Sequence, residues 1–391
     1  MEALFERHLR GDRTIWMVVL FLGLISLLAV YSSIASLAYK SGGGTLRFLF
    51  KHGLMLASGG AIMYMASRLR YTVYSRLSSL AIYAVVGLLA LTLVMGANLN
   101  SASRWMEVPV LGVTFQSSDL AKVVLIVYLA RVLGRHREEP WTLREVVVRL
   151  MVPVGLVCGL ILPANFSTAA LLFAVCLMMM FIAQVPLKHL FMVLFAATAV
   201  FAVLLLVAKL VPGVLPRLDT WLARIENFGG GSAEANYQVE HAKIAIAHGG
   251  ILPNGPGSGT SRNYLPHPYS DMIYAFIIEE YGSLIGGMGL LLLYLILLFR
   301  GVRIATRSEK RFGSLVAIGL CASLVLQALV NMAVAVNLVP VTGQPLPLVS
   351  MGGTSILITC LAIGIVLSVS RGLGEGTLHD AAATKPRTAT A

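Results

Sequence analysis

Charged residues are scarce in this sequence: only 12% of its 391 residues are Asp, Glu, Lys or Arg, whereas 57% are apolar. That charged fraction is about half of what soluble proteins carry, which excludes an ordinary soluble enzyme. The apolar residues come in blocks of roughly 20, the length that spans the hydrocarbon core of a bilayer. The composition therefore predicts an all-α polytopic membrane protein.

Cysteine and the motifs of common soluble enzymes are also sparse. The four cysteines, Cys158, Cys176, Cys321 and Cys360, lie inside apolar runs without the spacing of disulfide pairs or metal ligands, so we expect buried, inert thiols. There is no zinc spacing, no Ser-His-Asp order and no haem motif. The stretch "GPGSGTS" at 255–261 lacks the lysine of a P-loop and indicates a nucleotide site only weakly.

The apolar blocks define the expected topology. No cleavable signal peptide is expected, because the first block is too long and has no small-residue cleavage site. With the N-terminus inside, 20 of the 30 Lys and Arg residues fall on the cytoplasmic side, so the positive-inside rule predicts both termini in the cytoplasm. This distribution explains the net charge of +12 without nucleic acid. Ten membrane helices are expected, at about 14–39, 48–67, 77–97, 119–133, 146–163, 167–184, 188–211, 271–299, 313–336 and 352–371.

One transmembrane domain is therefore expected over residues 1–371. A long outer loop at 212–270 would join helices 7 and 8. The Gly-, Ala- and Thr-rich end at 372–391 is expected to be a disordered cytoplasmic tail. Further outer connections are expected at 98–118, 163–167 and 337–351, whereas the cytoplasmic connections are short and basic. This asymmetry predicts that any chemistry occurs at the outer face.

Asp271 stands out in the stretch "RNYLPHPYSDMIYAFIIEEYG" at 262–282, where it opens the eighth helix. It can act as a helix-start acid, with Ser270 as the cap and the carboxylate favouring the helix dipole. It can also act as a carboxylate at the membrane mouth that accepts a proton from a hydroxyl nucleophile. The two roles are compatible.

Glu279 and Glu280 follow about 12 Å deeper in the same helix, at 1.5 Å per residue. Helical geometry turns Glu279 about 80° from Asp271 and directs Glu280 to the opposite side, so neither forms a carboxylate pair with Asp271. We expect a structural role, as partners of a neighbouring Arg or Lys or as backbone anchors. The two acids can also shape a polar cavity.

Two other stretches offer anion contacts. Asp119 and Lys122 lie at i and i+3 on one helical face, as a snorkelling pair or as a cation for an anionic substrate. Arg104 and Trp105 precede them, as an anion contact and an interfacial ring. In "PLPLVSMGGTS", the residues Ser350, Gly352 and Gly353 either present backbone N–H groups to a phosphate or cap and pack the last helix.

Three ordered motifs make the chain resemble the SEDS family (shape, elongation, division, sporulation), the FtsW/RodA-type polymerases of the bacterial cell wall. They are "SRWMEVPVLGVTFQSSDLAK", "YLPHPYSDMIYAFIIEEYG" and "PLPLVSMGGTS", and the resemblance runs from about residue 12 to 372. The start of the chain looks more like the division branch, FtsW, than the elongation branch, RodA.

The chain departs from the family pattern at three places. Gln116-Ser117-Ser118-Asp119 replaces the usual Gln-Pro-Ser-Glu, and Leu265-Pro266-His267 replaces Leu-Pro-Glu. An acid common before the sixth helix is absent, because Pro163-Ala164-Asn165 stands where the family has Gln-Pro-Asp. Any role of that acid cannot be carried over.

The resemblance implies a glycosyltransferase that polymerises lipid II, a disaccharide-pentapeptide on undecaprenyl pyrophosphate, at the outer leaflet of the inner membrane. Asp271 would deprotonate the acceptor sugar's 4-hydroxyl in an inverting transfer. Lys122 and Arg104 would offset the pyrophosphate charge, with Asp119 orienting Lys122 and with Gln116 and Arg262 as further candidates. The family also implies a class B penicillin-binding protein and other division proteins as partners, and it allows a divalent cation, Mg²⁺ or Mn²⁺.

Two other functional classes are compatible with ten helices and intramembrane acids. A secondary transporter or flippase for lipid-linked precursors would share the acids and the Gly/Pro breaks. Against it, the charged candidates gather near the outer face and no inverted repeat is visible. A scaffold for the division machinery is the third class, and an elongation polymerase is the alternative within the family.

Overall fold

The computed structural model describes residues 11–34, 45–95, 97–99, 102–108, 113–136, 139–210, 224, 228, 233–265 and 269–383 of the chain. Helices dominate this part of the structure. The first seven apolar segments correspond to α1 (Arg13–Ser33), α2 (Thr45–Arg68), α3 (Tyr71–Met95), α4 (Ser117–Arg135), the pair α5 (Leu143–Glu145) and α6 (Val152–Ile161) joined by a π-helical turn Val146–Met151, α7 (Phe166–Ile182) and α8 (Leu187–Leu210).

The remaining helices form the second half of the bundle. They are α9 (Ala233–Gly249), α10 (Ile273–Tyr281) and α11 (Gly289–Arg307) joined by a π-helical turn Gly282–Met288, α12 (Arg311–Ala335) and α13 (Thr354–Ala383). Every one of the ten predicted apolar segments thus overlaps helical structure.

Six stretches of the described chain are long and apolar enough to cross a membrane: Arg13–Ser33, Tyr71–Val94, Leu187–Val207, Ile273–Arg307, Arg311–Ala335 and Thr354–Leu373. Phe166–Ile182 is apolar but shorter. These spans support a polytopic, mainly helical membrane protein, while ten crossings and the orientation of the termini stay predictions.

A small sheet occupies the region predicted as a plain loop at 98–118. Its strands, β1 (Ala97–Leu99), β2 (Ala102–Val108) and β3 (Val113–Gln116), are antiparallel in the order β1-β2-β3. Trp105 on β2 is opposite Gln116 on β3, directly before α4 begins. The sheet therefore ties Arg104 and Trp105 to the start of the helix that carries Asp119.

The predicted eighth helix is broken rather than continuous. Gly282 has a φ of +72°, and a Cβ there would lie 2.6 Å from the carbonyl oxygen of Ile251, so only glycine fits this close approach. The break separates α10 from α11. It leaves Glu279 and Glu280 in a short helix that packs against the loop after α9.

The long segment at 212–270 contains regular structure that the sequence analysis did not predict. Helix α9 and a 3₁₀ turn at Ser261–Asn263 lie within it, while residues 211–223, 225–227, 229–232 and 266–268 lie outside the described part. At the other end of the chain, α13 continues to Ala383, so residues 372–383 of the expected disordered tail are helical here. Residues 384–391 lie outside the described part.

Arginine side chains bind one end of the bundle together. Asp12 caps α1 by accepting hydrogen bonds from the N–H groups of Thr14 (2.9 Å) and Ile15 (3.3 Å), and its other oxygen pairs with Arg300 on α11. Arg371 on α13 donates to the carbonyl oxygens of Ser67 (3.2 Å) and Arg68 (2.6 Å), the last residues of α2. Such contacts satisfy carbonyl groups that a helix end leaves unpaired.

Close glycine contacts hold α2 against α13. Gly364 on α13 is so near α2 that a Cβ there would lie 2.7 Å from both the Cβ of Ala66 and the carbonyl oxygen of Met63. Small residues of this kind let membrane helices approach each other and gain van der Waals contact.

We expect Gly364→Ala to lower the thermal unfolding midpoint of the purified protein in detergent, because overpacking a tight interface costs about 1–3 kcal/mol. Gly60→Ala on α2 is the matched control, since nothing lies within 4 Å of its Cβ position. The packing described here would be contradicted if both variants unfolded at the wild-type temperature.

Candidate active site

Asp271 lies in the turn before α10 and is partly exposed. Helix α10 begins at Ile273, and its start has no side-chain cap, so the predicted capping by Ser270 is wrong. The Ser270 hydroxyl instead donates to Asp271 Oδ1 at 2.8 Å. The second oxygen, Oδ2, faces Gly343, where an added Cβ would lie 3.5 Å away. One carboxylate oxygen is thus held in place, and the other lies beside a residue without a side chain.

The segment 344–350 folds back into the bundle instead of forming an open outer loop. Gln344, Leu346, Val349 and Ser350 are each at most 3% exposed. Buried backbone carbonyls need hydrogen-bond donors, and here they receive them from side chains of distant helices. The donors are Asn331 Nδ2 to Gln344 O (2.8 Å), Gln327 Nε2 to Pro345 O (2.9 Å), the Tyr294 hydroxyl to Pro347 O and the Ser26 hydroxyl to Val349 O (2.7 Å).

Asn331 on α12 joins this segment to the turn that carries Asp271. Its Nδ2 group donates to the backbone carbonyl of Asp271 at 2.9 Å as well as to Gln344 O. Gln344 in turn donates to the Thr168 hydroxyl at 2.9 Å on α7. The buried amide of Asn331 therefore fixes both the backbone of Asp271 and the backbone of Gln344.

Ser350 makes a second link to the same turn. Its hydroxyl donates to the carbonyl of Ser270 at 2.7 Å and accepts from the N–H of Leu346 at 2.8 Å. The next residue, Met351, donates its N–H to the carbonyl of Tyr269 at 2.9 Å. One side chain and one backbone group of the loop that precedes α13 thus position residues 269 and 270.

Most of the backbone N–H groups that were predicted to bind a phosphate before α13 are hydrogen-bonded within the loop itself. The N–H of Ser350 donates to Leu346 O at 2.9 Å, and that of Gly352 donates to Ser350 O at 2.8 Å. Gly353 has a φ of +53° and open space at its Cβ position. Of the three predicted residues, Ser350 and Gly352 serve the loop, and Gly353 alone faces an open region.

Asp119 and Lys122 form the predicted ion pair, with Nζ 2.9 Å from Asp119 Oδ1. The pair is buried, with side-chain exposures of 11% for Lys122 and 6% for Asp119. Lys122 Nζ also donates to Gln327 Oε1 at 2.8 Å, and Gln327 holds Pro345. A cavity of about 20 Å³ beside the pair has room for one water molecule. In this arrangement the ammonium supports the segment 344–350 through Gln327.

Glu279 and Glu280 are backbone anchors for the glycine-rich stretch at 255–261. Glu279 Oε1 accepts from the N–H groups of Thr260 (3.0 Å) and Ser261 (3.2 Å), and Glu280 Oε1 accepts from Gly257 (2.9 Å) and Gly259 (3.4 Å). The Ser32 hydroxyl also donates to Glu280. The loop N–H groups that would cradle a phosphate in a nucleotide site are thus taken by the protein's own carboxylates.

The other predicted residues lie around this core. Gln116 precedes α4 and donates to the Ser118 hydroxyl at 3.0 Å. Arg262, in the 3₁₀ turn, is partly exposed and close enough to Glu280 to interact with it electrostatically. Arg104 and Trp105 have their backbone in β2, and their side chains lie outside the described part.

Sequence reasoning missed the three buried amides Gln327, Asn331 and Gln344. A signal for two of them was present, since Gln327 and Asn331 are spaced i, i+4 in the otherwise apolar helix α12 and so share one face. Polar side chains inside a membrane segment mark functional or structural contacts. Gln344 gave no such signal because its loop was expected to face water.

One titratable phenol, that of Tyr269, lies beside Asp271. Burial, and after it the negative charge of Asp271, raises the pKa of Tyr269, so this phenol stays neutral at physiological pH. Within the described residues there is no group of three His, Cys, Asp or Glu side chains that could hold a metal ion. A divalent cation here would need one carboxylate together with oxygens of a bound substrate, which is a common arrangement for Mg²⁺.

Comparison with known sequences identifies relatives along almost the whole chain. Residues 12–374 match the FtsW/RodA/SpoVE family, described as "Cell cycle protein". A probable peptidoglycan glycosyltransferase FtsW from Coxiella burnetii is 32% identical over 367 residues, which cover 91% of this chain and 95% of that protein. Stage V sporulation protein E from Bacillus subtilis is 31% identical over 371 residues, covering 92% and 97%.

Solved structures share the fold. A chain from a structure described as structural coordination of polymerization and crosslinking by a peptidoglycan synthase complex superposes with a TM-score of 0.72 at 25% identity. It covers 93% of this chain and 98% of its own length. The rod shape determining protein RodA from Thermus thermophilus gives a TM-score of 0.65 at 24% identity, covering 92% and 97%.

We expect Glu279→Gln/Glu280→Gln to speed amide hydrogen exchange across residues 255–261. Each substitution removes charge from hydrogen bonds that hold the loop, and charge-assisted bonds are roughly twice as strong as neutral ones. Exchange is measured by mass spectrometry on the protein in detergent. Glu240→Gln, an exposed position on α9, is the control and should leave the loop unchanged. Wild-type exchange in the double variant would remove these carboxylates as anchors.

Proposed function

This chain belongs to the FtsW/RodA/SpoVE family, and we infer that it is a peptidoglycan glycosyltransferase that polymerises lipid II in cell division. The relative named as a probable peptidoglycan glycosyltransferase FtsW supports the activity, and the sporulation protein supports a role in the cell cycle. Each matches more than nine-tenths of the chain. The observation that carries the catalytic proposal is Asp271, a partly exposed carboxylate whose turn is fixed by buried side chains.

The proposed reaction is a displacement at the donor sugar's anomeric carbon. The acceptor's 4-hydroxyl oxygen forms the new glycosidic bond while the bond from the anomeric carbon to the pyrophosphate oxygen breaks. An α-linked donor then gives a β-linked product, which is an inversion and needs a base on the nucleophile's side. Asp271 takes the hydroxyl proton, and undecaprenyl pyrophosphate leaves with the bonding electron pair.

The hydrogen bonds of Asp271 suit a general base. Ser270 holds Oδ1, so Oδ2 is the oxygen that can meet a hydroxyl group. The contact with Gly343 leaves room beside Oδ2, since glycine carries no side chain there. A base must reach hydrogen-bond distance of the proton it removes, and a rigid turn makes that distance reproducible.

We place Asp271 at the outer face of the inner membrane. It precedes the span Ile273–Arg307, whose other end carries Arg300, Arg303 and Arg307. Basic residues favour the cytoplasmic side, so the positive-inside rule supports the arginine end inside and the Asp271 end outside. Lipid II in the outer leaflet could then meet Asp271 while its undecaprenyl tail stays in the bilayer.

The role of Lys122 follows from its burial. An ammonium held by Asp119 and Gln327 is not open to a diphosphate unless one of these partners moves. We therefore propose that Lys122 positions the segment 344–350 through Gln327, and that Arg104, Arg262 and Gly353 are the remaining candidates for the departing pyrophosphate. Mg²⁺ or Mn²⁺, held by the substrate's own phosphates, would supply further charge neutralisation, since the two oxygens of Asp271 are assigned to Ser270 and to the acceptor hydroxyl.

We propose the partners of this protein and its location in the cell from what its relatives are named for. A transpeptidase of the class B penicillin-binding type would crosslink the new strands, as a solved relative comes from a complex that coordinates polymerization and crosslinking. The FtsW-named relatives favour the septum of the inner membrane. A tagged copy found along the side wall instead of at mid-cell would favour an elongation role.

We expect Asp271→Asn to reduce polymerisation of lipid II by purified protein about 10²–10⁴-fold, the usual contribution of a general base. The amide keeps the shape and an acceptor for Ser270 but does not take up the proton. Product is measured as labelled glycan polymer, with and without the transpeptidase and with a chelator.

Glu240→Gln is again the control and should polymerise at the wild-type rate. Near wild-type polymerisation by Asp271→Asn would exclude Asp271 as the base. Movement of labelled lipid across liposomes without polymer from the wild-type protein would contradict the glycosyltransferase itself and favour transport.

We expect Lys122→Met to destabilise the protein by about 3–5 kcal/mol, because it leaves the carboxylate of Asp119 buried and unpaired. Asp119→Leu/Lys122→Met should recover most of that stability, since both charges are then gone. Thermal unfolding in detergent measures both effects.

Kinetics of the same proteins separate positioning from substrate binding. Gln327→Leu and the double variant should both lower kcat while leaving KM for lipid II within about threefold. A large rise in KM confined to variants that lack Lys122 would show instead that its ammonium binds the substrate.

A further inference from the structure

A basic cavity lies at the end of the bundle opposite Asp271. It has a volume of about 800 Å³ and is bordered by the start of α1, the start of α3, the end of α11 and part of α13. Its charged lining residues are Asp12, Arg13, Arg300, Arg303, Arg307 and Glu309. Four arginines and two carboxylates leave it with a formal net charge of +2.

The arginines of α11 are arranged as one array. Arg300, Arg303 and Arg307 are spaced i, i+3 and i+7, which places them on one face of the helix. Arg300 is already paired with Asp12. Arg303 and Arg307 are exposed, and neither makes a salt bridge or side-chain hydrogen bond with another described residue. Their two guanidinium groups are therefore available to an anion in the cavity.

The chemistry of this lining selects phosphate. A guanidinium presents a planar set of donors that matches phosphate oxygens in a bidentate way. The volume falls within the range of about 300–1,000 Å³ typical of sites for small organic ligands, so it exceeds the needs of a single inorganic ion. Ile304 and Val369 add an apolar part to the wall, which suits a ligand that carries hydrocarbon beside its phosphate.

We propose that this cavity binds the phosphate-bearing headgroup of an anionic phospholipid. Basic pockets between membrane helices on the cytoplasmic side are suited to such headgroups. The assignment uses the proposed orientation of the bundle, and it concerns the leaflet opposite to the one in which lipid II reacts. The positive-inside rule accounts for arginines at this end, but it does not require them to converge on one cavity.

Binding would act on the packing of the bundle. The same wall contains the Asp12–Arg300 pair, which joins α1 to α11, and the Asp12 cap of α1. A headgroup held by Arg303 and Arg307 would fill the space between α11 and the walls that α1, α3 and α13 contribute to the cavity. A ligand that binds only the folded state stabilises it, so the anionic lipid should raise the unfolding temperature.

The test compares lipids on the full chain in detergent. Phosphatidylglycerol or cardiolipin should raise the unfolding temperature in a saturable way and be retained in native mass spectra, whereas phosphatidylcholine should do neither. Arg303→Gln/Arg307→Gln should weaken the apparent affinity about 10²-fold, because each charge-assisted contact contributes about a tenfold factor.

The control is Arg76→Gln/Arg144→Gln, which removes the same charge from exposed positions outside the cavity and should bind the lipid like the wild type. The single variant Arg307→Gln, with an expected loss of about tenfold in affinity, tests the same contact if the double variant does not fold.

Equal binding of anionic lipid by the wild type and the cavity variants would overturn the proposal. So would an equal effect of inorganic phosphate alone, which would assign the cavity to a soluble phosphate. Lipid II polymerisation by these variants is measured alongside, so a failed lipid site is distinguishable from a failed glycosyltransferase.

Discussion

The structure depends on hydrogen-bonding the backbone of residues 344–350, a non-helical segment buried inside a membrane bundle. Unpaired carbonyls in an apolar interior cost several kcal/mol each, so such a segment is stable only when the protein supplies the donors. Asn331 and Gln327 on α12 supply two of them, and Tyr294 and Ser26 supply two more. Once this segment is fixed, Ser350 and Asn331 fix the turn that holds Asp271.

This arrangement explains how one partly exposed acid, Asp271, is held in a fixed position. Among the described residues, the Asp271 carboxylate accepts one side-chain hydrogen bond, from its neighbour Ser270. Its backbone, however, is held from two sides by buried groups, one on α12 and one before α13. The position of the proposed base thus depends on buried residues of other segments, and Lys122 contacts this support through Gln327.

Buried charged side chains in the bundle are also paired with groups of the protein itself. The buried carboxylates Glu279 and Glu280 accept hydrogen bonds from backbone N–H groups of a glycine-rich loop, and Arg262 adds an electrostatic interaction with Glu280. The ion pair Asp119–Lys122 balances itself. At the opposite end, arginines satisfy helix-end carbonyls and surround a cavity. Net positive charge is thereby concentrated at one face, where a membrane protein gains an orientation from it.

The sequence by itself determined the class of protein, the approximate positions of its ten apolar segments and the residue proposed as the base. Apolar blocks, basic connections and the pairing of Asp119 with Lys122 are local patterns, set by a helix rise of 1.5 Å and a period of 3.6 residues. The break at Gly282, the sheet before α4 and helix α9 were not predicted, because each depends on contacts with other segments.

Only the tertiary structure decided what the polar residues do. Lys122 meets Gln327 across 205 positions, and Ser350 meets Ser270 across 80. These long-range contacts depend on how the helices pack, and the repeat pattern of one helix does not predict that packing. For the same reason, three arginines on one helical face could be read from the sequence, whereas the cavity they border required α1, α3 and α13 to close around it.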